Sequence, residues 1–121
     1  MGYFVNFSNH SSCGWGKKQK EEAEKWGDIV DVPFPNVNPE ATNQDIRKLA
    51  ENCVKKILEY YPSAVMCQGE FTLSYHVIRL LKEQGMTVLS ACSTRKAVEE
   101  RLEDGSVCKN AVFKFVQFRE Y

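Results

Sequence analysis

The sequence has no excess of charge, few histidines and no paired cysteine motif, and each shortage excludes something. Lys and Arg number 16, as do Asp and Glu, so the formal net charge is zero. A protein that tracks long nucleic acid needs a basic excess, and this chain has none. A neutral protein can still carry a local basic cluster, so a small anionic ligand stays open. No apolar run approaches the roughly 20 residues of a membrane-spanning helix, so no membrane association is expected. No basic segment followed by an apolar stretch and a cleavage site opens the chain, so secretion is not expected and a cytoplasmic location is. The five cysteines contain no CxxC pair. That argues against a zinc knuckle or a redox dithiol and fits a reducing compartment. Cys53, Cys67 and Cys92 fall in helix or strand patterns, Cys13 and Cys108 in predicted loops. The two histidines, His10 and His76, lack a convergent carboxylate pattern, so neither metal nor cofactor is expected. GxGxxG and Walker sequences are both missing.

What is present centres on residues 64 to 96. AVMCQGE is an apolar run ending at a glycine. FTLSYHVIRLLKEQG follows, with Phe71, Tyr75, Ile78, Leu80 and Leu81 spaced for one broad helical face and Gly85 closing it. MTVLSACSTRK is a short apolar, β-branched run that ends in small polar and basic residues. Strand, helix and strand of this kind form a right-handed parallel unit. Ligands of open parallel sheets sit beyond the carboxyl ends of the strands, so the loops QGE (68–70) and CSTRK (92–96) are expected to share that edge.

The flanking segments extend the same alternation. Residues 2–9 read as a near-continuous buried strand. A Ser- and Gly-rich loop, HSSCGWG, leads into a charged helix from Lys17 to Trp26, with Ala23 and Trp26 facing inward and Gly27 as C-cap. DIVDV (28–32) is a second short strand, and PFPNVNPEAT a rigid proline-rich loop. Thr42 or Asn43 caps a helix whose apolar positions run from Ile46 to Leu58. Ala97–Leu102 reads as a turn or two of helix, and Asp104-Gly105 as a turn. AVFKFVQF (111–118) is a last strand, antiparallel at an edge because the preceding link is short for a crossover. Arg119, Glu120 and Tyr121 read as an exposed tail. The 121 residues thus predict a single domain, 1–121, built as a three-layer α/β/α sandwich. Its Rossmann-like sheet is five-stranded and mostly parallel, with strand order 3-2-1-4-5 or 2-1-3-4-5.

Three loops carry candidate chemistry. Asn6, Ser8, Asn9, His10 and Ser11, with Gly14 and Gly16, place hydroxyls and backbone N–H groups at the start of a helix, where anions bind. The alternative is a Ser- and Asn-rich turn that only caps that helix. Ser93, Thr94, Arg95 and Lys96 combine two hydroxyls with two cations, a set suited to a phosphate. Their alternative is an N-cap with solvated charges. Gln68, Gly69 and Glu70 follow the central strand. Gly69 permits close backbone approach, and Glu70 serves as a general base, a ribose acceptor or a first-turn carboxylate. His10 lies where acid–base work would be needed, whereas His76 reads as structural.

The order NFSNH, a PFP loop, GE opening a helix, a small-polar and basic loop after the fourth strand, and a terminal FREY resembles a group of small CRISPR-associated proteins. These are similar to reduced CARF sensor domains, and the resemblance spans nearly the full length. It implies a homodimer that binds a cyclic oligoadenylate, cyclic tetra-adenylate foremost, across its two-fold axis. It also implies ring-nuclease activity that damps a CRISPR response, with no metal required. The family's sites use the loops after strands one and four. Asn6, Ser8, Asn9, His10 and Ser11 match the first of these, and Ser93, Thr94, Arg95 and Lys96 the second. Arg95 and Lys96 would stabilise phosphoryl charge, and His10 or Glu70 would move a proton.

Rival readings remain open at this level. A nucleoside or nucleotide N-glycosyl transferase would use Glu70 as nucleophile. A sensing module would bind a nucleotide without turnover. A structural subunit would use Phe113–Phe118 as its interface.

Overall fold

Among the described residues, 2–121, the elements run β1 (Phe4–Ser8), α1 (Lys17–Glu24), β2 (Ile29–Pro33), α2 (Asn43–Leu58), β3 (Ala64–Gln68), α3 (Phe71–Glu83), β4 (Val88–Arg101) and β5 (Val107–Glu120). A single 3-10 turn at Ser12–Gly14 precedes α1. The side chains of Lys96, Val98, Lys109, Asn110 and Ala111 lie outside the description given by this computed structural model.

The sheet order is β2-β1-β3-β4-β5, the second of the two expected orders. β1 pairs in parallel with both β2 and β3, and β4 continues the parallel run from β3. β5 returns antiparallel to β4, as the short link predicts. The chain winds to one side of β1 and then to the other, so the switch point lies between β1 and β3.

All five residues of β1 are buried, which fits a central strand covered on both faces. Val5, Phe7, Val65, Cys67 and Val88 pack under α2 and α3. Phe4, Ala64, Met66 and Leu89 form the opposite layer with Ala23 of α1, and Trp15 and Phe118 pack against it. Burial of each large apolar side chain here contributes about 1.5–3 kcal/mol. Thr42 and Asp45 close a capping box on α2, which buries Ile46, Ala50, Cys53, Val54 and Ile57 along one stripe.

Several expectations need correction. Residues 92–96 are not a loop, and Ala97–Leu102 is not helical. β4 runs on to Arg101 and β5 starts at Val107, so both segments belong to one long hairpin. The tight turn at its tip keeps Gly105 at φ 86°, where the Asp-Gly signal placed it. α3 buries Leu73, Ser74, Val77 and Leu81, whereas Phe71 is 89% and Tyr75 64% exposed. The aliphatic row at i, i+4 and i+8 faces the sheet, and the aromatic pair lies well around the helix from it. α1 ends at Glu24, and Trp26 lies beyond it, part exposed, while Trp15 packs on Phe4 and Phe118. Arg119 and Glu120 extend β5, and the Tyr121 hydroxyl donates to the Cys67 carbonyl at 2.8 Å, so these three residues are no loose tail.

Two departures in the sheet shape the site. β3 and β4 pair only at Val65–Val88 and Met66–Leu89, after which β4 parts from β3 and continues with β5 alone. A bulge then follows: Cys92 faces Gln117 and Ser93 faces Phe115, leaving Val116 over. The skipped residue inverts the alternation of β5. Phe118, Phe115 and Phe113 consequently share one side, opposite Ala91, Ser93 and Arg95, and the rings of Phe115 and Phe118 lie 4.9 Å apart.

Candidate functional site

The loop after β1 is built on a polar pair across two strands. Asn6 and Asp31 are register partners. Asn6 Nδ2 donates to Asp31 Oδ1 at 2.9 Å and to the His10 carbonyl at 2.8 Å. The Ser8 hydroxyl donates to Asn6 Oδ1 at 2.7 Å and accepts from the His10 N–H at 3.2 Å. Asp31 also accepts from the Ser11 and Ser12 hydroxyls at 3.1 Å and from the Ser12 N–H at 3.2 Å. Burial alone would raise the Asp31 pKa, but the hydrogen bonds from Asn6, Ser12 and Ser11 outweigh it and hold it below its ordinary value. Asn6 and Ser8 are both buried, so their first task is to fix the loop.

That loop delivers α1 to the site. Gly16 is the N-cap and supplies no side-chain hydrogen bond, so the first-turn N–H groups have no capping side chain. Lys17 and Lys18 open the helix beside them.

An open cleft of about 1220 Å³ lies at the carboxyl edge of the sheet on the α1 side. Met66, Gln68 and Ala91 form its floor. Asn9, His10 and Ser11 with Trp15, Lys17 and Lys18 form one wall. Ser93, Phe113, Lys114 and Phe115 form the other. The walls are thus a helix start with two lysines and a ribbon with two aromatic rings. Such a cleft can hold a phosphate at one side and a flat base at the other.

The predicted site residues divide. Ser8, Asn9, His10, Ser11, Gln68, Gly69 and Ser93 come together at this cleft. Asn6 sits beneath it. The Thr94 hydroxyl donates to the Lys114 carbonyl at 3.3 Å and is absent from the lining. Arg95 is in register with Phe113, one step farther out on the ribbon. The side chain of Lys96 lies outside the described residues. Because 93–96 are strand residues, they cap no helix, which removes the N-cap alternative.

Glu70 is apart from the others. It caps α3, accepting from the Leu73 N–H at 2.8 Å and the Thr72 hydroxyl at 2.6 Å. Those two partners, Thr72 foremost, hold its pKa below the usual carboxylate value, which weakens it as a base. It lines a separate depression of about 560 Å³ with Phe71, Tyr75 and His76. Gly69 has a packing reason: a Cβ there would fall 2.5 Å from two carbons of the Phe34 ring. Gln68 bonds to the backbone of Ala91 through both ends of its carboxamide. Burial pushes the Cys67 thiol up to about 12, so it stays protonated at neutral pH.

Sequence reasoning missed Asp31, Lys17, Lys18, Trp15 and the cleft roles of Phe113, Lys114 and Phe115. The signal for Asp31 was a lone carboxylate inside an apolar strand. For the lysines it was their position just after Gly-Trp-Gly. Among the described residues no cluster of three or more His, Cys, Asp or Glu is placed to hold a metal ion, and no helix is long and apolar enough to cross a membrane.

No curated protein matches the chain. A family profile, described as the uncharacterized protein MJ1673 family, matches residues 3–119, from the start of β1 almost to the end of β5. The chain therefore belongs to the MJ1673 family.

Proposed function

We propose that the cleft binds a cyclic oligoadenylate, with cyclic tetra-adenylate as the first choice, and cleaves it as a metal-independent ring nuclease. The resemblance to small CARF-like proteins motivates the ligand. The observation that carries the reading is the cleft itself. At the carboxyl edge of a Rossmann-like sheet, an uncapped helix start with Lys17 and Lys18 faces Phe113 and Phe115. A cyclic oligonucleotide alternates phosphates and bases, and the two walls offer one surface for each.

The reaction needs position more than a special nucleophile. A ribose 2'-oxygen loses its proton and bonds to the adjacent phosphorus. The P–O5' bond breaks, and the departing 5'-oxygen takes up a proton. The products are a 2',3'-cyclic phosphate and a 5'-hydroxyl. Lys17, Lys18 and the α1 N–H groups stabilise charge that grows on the phosphoryl oxygens. His10, at the cleft rim, serves the proton transfer. Arg95 meets the ligand at the outer end of the ribbon wall. A two-fold homodimer would present these groups twice around a symmetric ring. The damping of a CRISPR response and a cytoplasmic site of action belong to the same proposal.

The test is incubation of purified protein with cyclic tetra- and hexa-adenylate in excess EDTA, followed by chromatography and mass analysis. Linear products with cyclic-phosphate ends are expected. Intact ligand that co-elutes with the protein would leave a sensor, and no binding would overturn the reading.

A further inference from the structure

β4 and β5 each run for 14 residues, but the rest of the sheet supports only the start of β4 and the end of β5. Beyond the bulge at Cys92/Ser93, residues 93–101 and 107–115 pair with each other and, among the described residues, with no third strand. This free ribbon extends about 30 Å at roughly 3.3 Å per residue. An isolated two-stranded ribbon is marginal in water, and a long open strand edge is a template for pairing. The ribbon also exposes apolar surface, with Leu102, Val107, Val112 and Phe113 each about half exposed or more.

We propose that the ribbon is a docking arm for a second copy of this chain, the base of each arm lying along the tip of the other. Charge selects this occupant. The half next to the sheet carries Arg95 and Lys114 and no carboxylate, and Lys96 adds a further positive charge by sequence. The half at the tip carries Glu99, Glu100, Glu103 and Asp104, which outnumber Arg101 and Lys109. One arm is therefore basic at its base and acidic at its tip. Two arms related by a two-fold axis perpendicular to their length run antiparallel and set each basic base against an acidic tip. A parallel arrangement would oppose like charges. Val107 and Val112 supply exposed apolar area, one on each face of the arm. Phe113 and Phe115 line the cleft from the base of the arm, so a docked partner closes over the site.

This deepens the homodimer of the proposed function and rests on that reading only for the link to the ligand. The test reads mass without any nucleotide, so either can fail alone. One variant carries Arg95→Glu with Lys114→Glu, the other Glu100→Lys with Glu103→Lys. Glu99 is left intact because its register partner is Lys109. Sedimentation equilibrium at micromolar concentration and low salt is expected to give a dimer for the native chain. Each variant should weaken association at least about tenfold, through like charges set against one another. An equimolar mixture of the two should restore the dimer, because the reversed base of one then meets the reversed tip of the other. Restoration also shows that both variants fold. A monomeric native chain, a dimer indifferent to both reversals, or a mixture that stays monomeric would each overturn the proposal.

Discussion

Gln68 pairs with Ala91 as though its side chain were another strand: the Ala91 N–H donates to Gln68 Oε1 at 2.9 Å, and Gln68 Nε2 donates to the Ala91 carbonyl at 3.4 Å. The contact falls where β4 has just left β3, so a carboxamide fills the missing rung. The residue that reads as a ligand contact in sequence thus ties β3 to β4 at the floor of the cleft. Gln68→Ala removes both hydrogen bonds and is expected to cost about 1–2 kcal/mol. Gln68→Glu keeps an acceptor for the Ala91 N–H but sets a carboxylate against the Ala91 carbonyl, so it should recover only part of the loss. Urea titration of the three proteins would check the order native, Glu, Ala. Equal midpoints would mean that the contact does not hold the strands.

Asp31 makes the loop after β1 sensitive to acid. Its folded pKa lies below the ordinary 3.8 because hydrogen bonds from Asn6, Ser12 and Ser11 outweigh the effect of burial. A depressed folded value means that the stabilisation is fully present above the unfolded pKa. It is lost as pH falls through the folded pKa. The native chain should therefore lose more stability between pH 6 and pH 3 than Asp31→Asn does. Denaturant midpoints at the two pH values test this, and parallel losses in both proteins would remove Asp31 from the account.

Gly69 and Phe34 make a separable packing pair. A Cβ at Gly69 would meet two carbons of the Phe34 ring at 2.5 Å, and that ring lies tilted against Phe7 at 4.8 Å. Gly69→Ala must displace Phe34 and should cost about 1–3 kcal/mol. In a Phe34→Ala background the same change should cost clearly less, since the obstacle is gone. Additive costs in the double-mutant cycle would show that the glycine serves something else, such as close approach of a ligand.

The parts of the fold that sequence made legible are those whose pattern reflects one buried side. α2 shows its apolar repeat and its Thr42 cap, and β1 and β3 show continuous apolar runs. Residues 111–118 were read as the antiparallel last strand that β5 contains, but the β4 half of the ribbon failed because both its faces meet solvent. Residues such as Arg95, Glu99, Glu100 and Arg101 then leave no alternation of apolar and polar positions to read. The bulge failed for a related reason: one skipped residue at Val116 puts Phe113 and Phe115 on the side of Phe118, and only the register reveals it. Asp31 was hidden because its partner Asn6 is 25 residues away. At the candidate site the loop after β1 was legible, while the fourth-strand cluster, read as a phosphate-binding loop, is part of a strand.

The cleft wall formed by α1 predicts which cations matter. Lys17 and Lys18 line the cleft and Arg95 does not. If a cyclic oligoadenylate binds there, Lys17→Ala and Lys18→Ala should each raise its Kd about tenfold, through loss of a charge-assisted contact. Arg95→Ala should do less. Calorimetric titrations at two salt concentrations would show it, because removal of a phosphate contact also flattens the salt dependence. A dominant effect of Arg95 with silent lysines would move the anion site out onto the ribbon.

The opposite wall separates stacking from packing. Phe118 has Phe4 at 5.2 Å, Phe115 at 4.9 Å and Trp15 at 6.3 Å, so it belongs to the core of the α1 layer. Phe113 is 68% exposed and lines the cleft. A ring that stacks on a nucleobase is worth about 1–3 kcal/mol per base, which corresponds to a 5- to 150-fold change in affinity. Phe113→Ala should therefore weaken ligand binding within that range and leave the urea midpoint of the nucleotide-free protein almost unchanged. Phe118→Ala should lower that midpoint by an amount below the about 3–5 kcal/mol that truncating a fully buried Phe costs, because Phe118 is partly buried. If Phe113→Ala instead lowers the midpoint and leaves affinity alone, the ring is packed against a second copy rather than a base. The ribbon would then be an arm without being a wall.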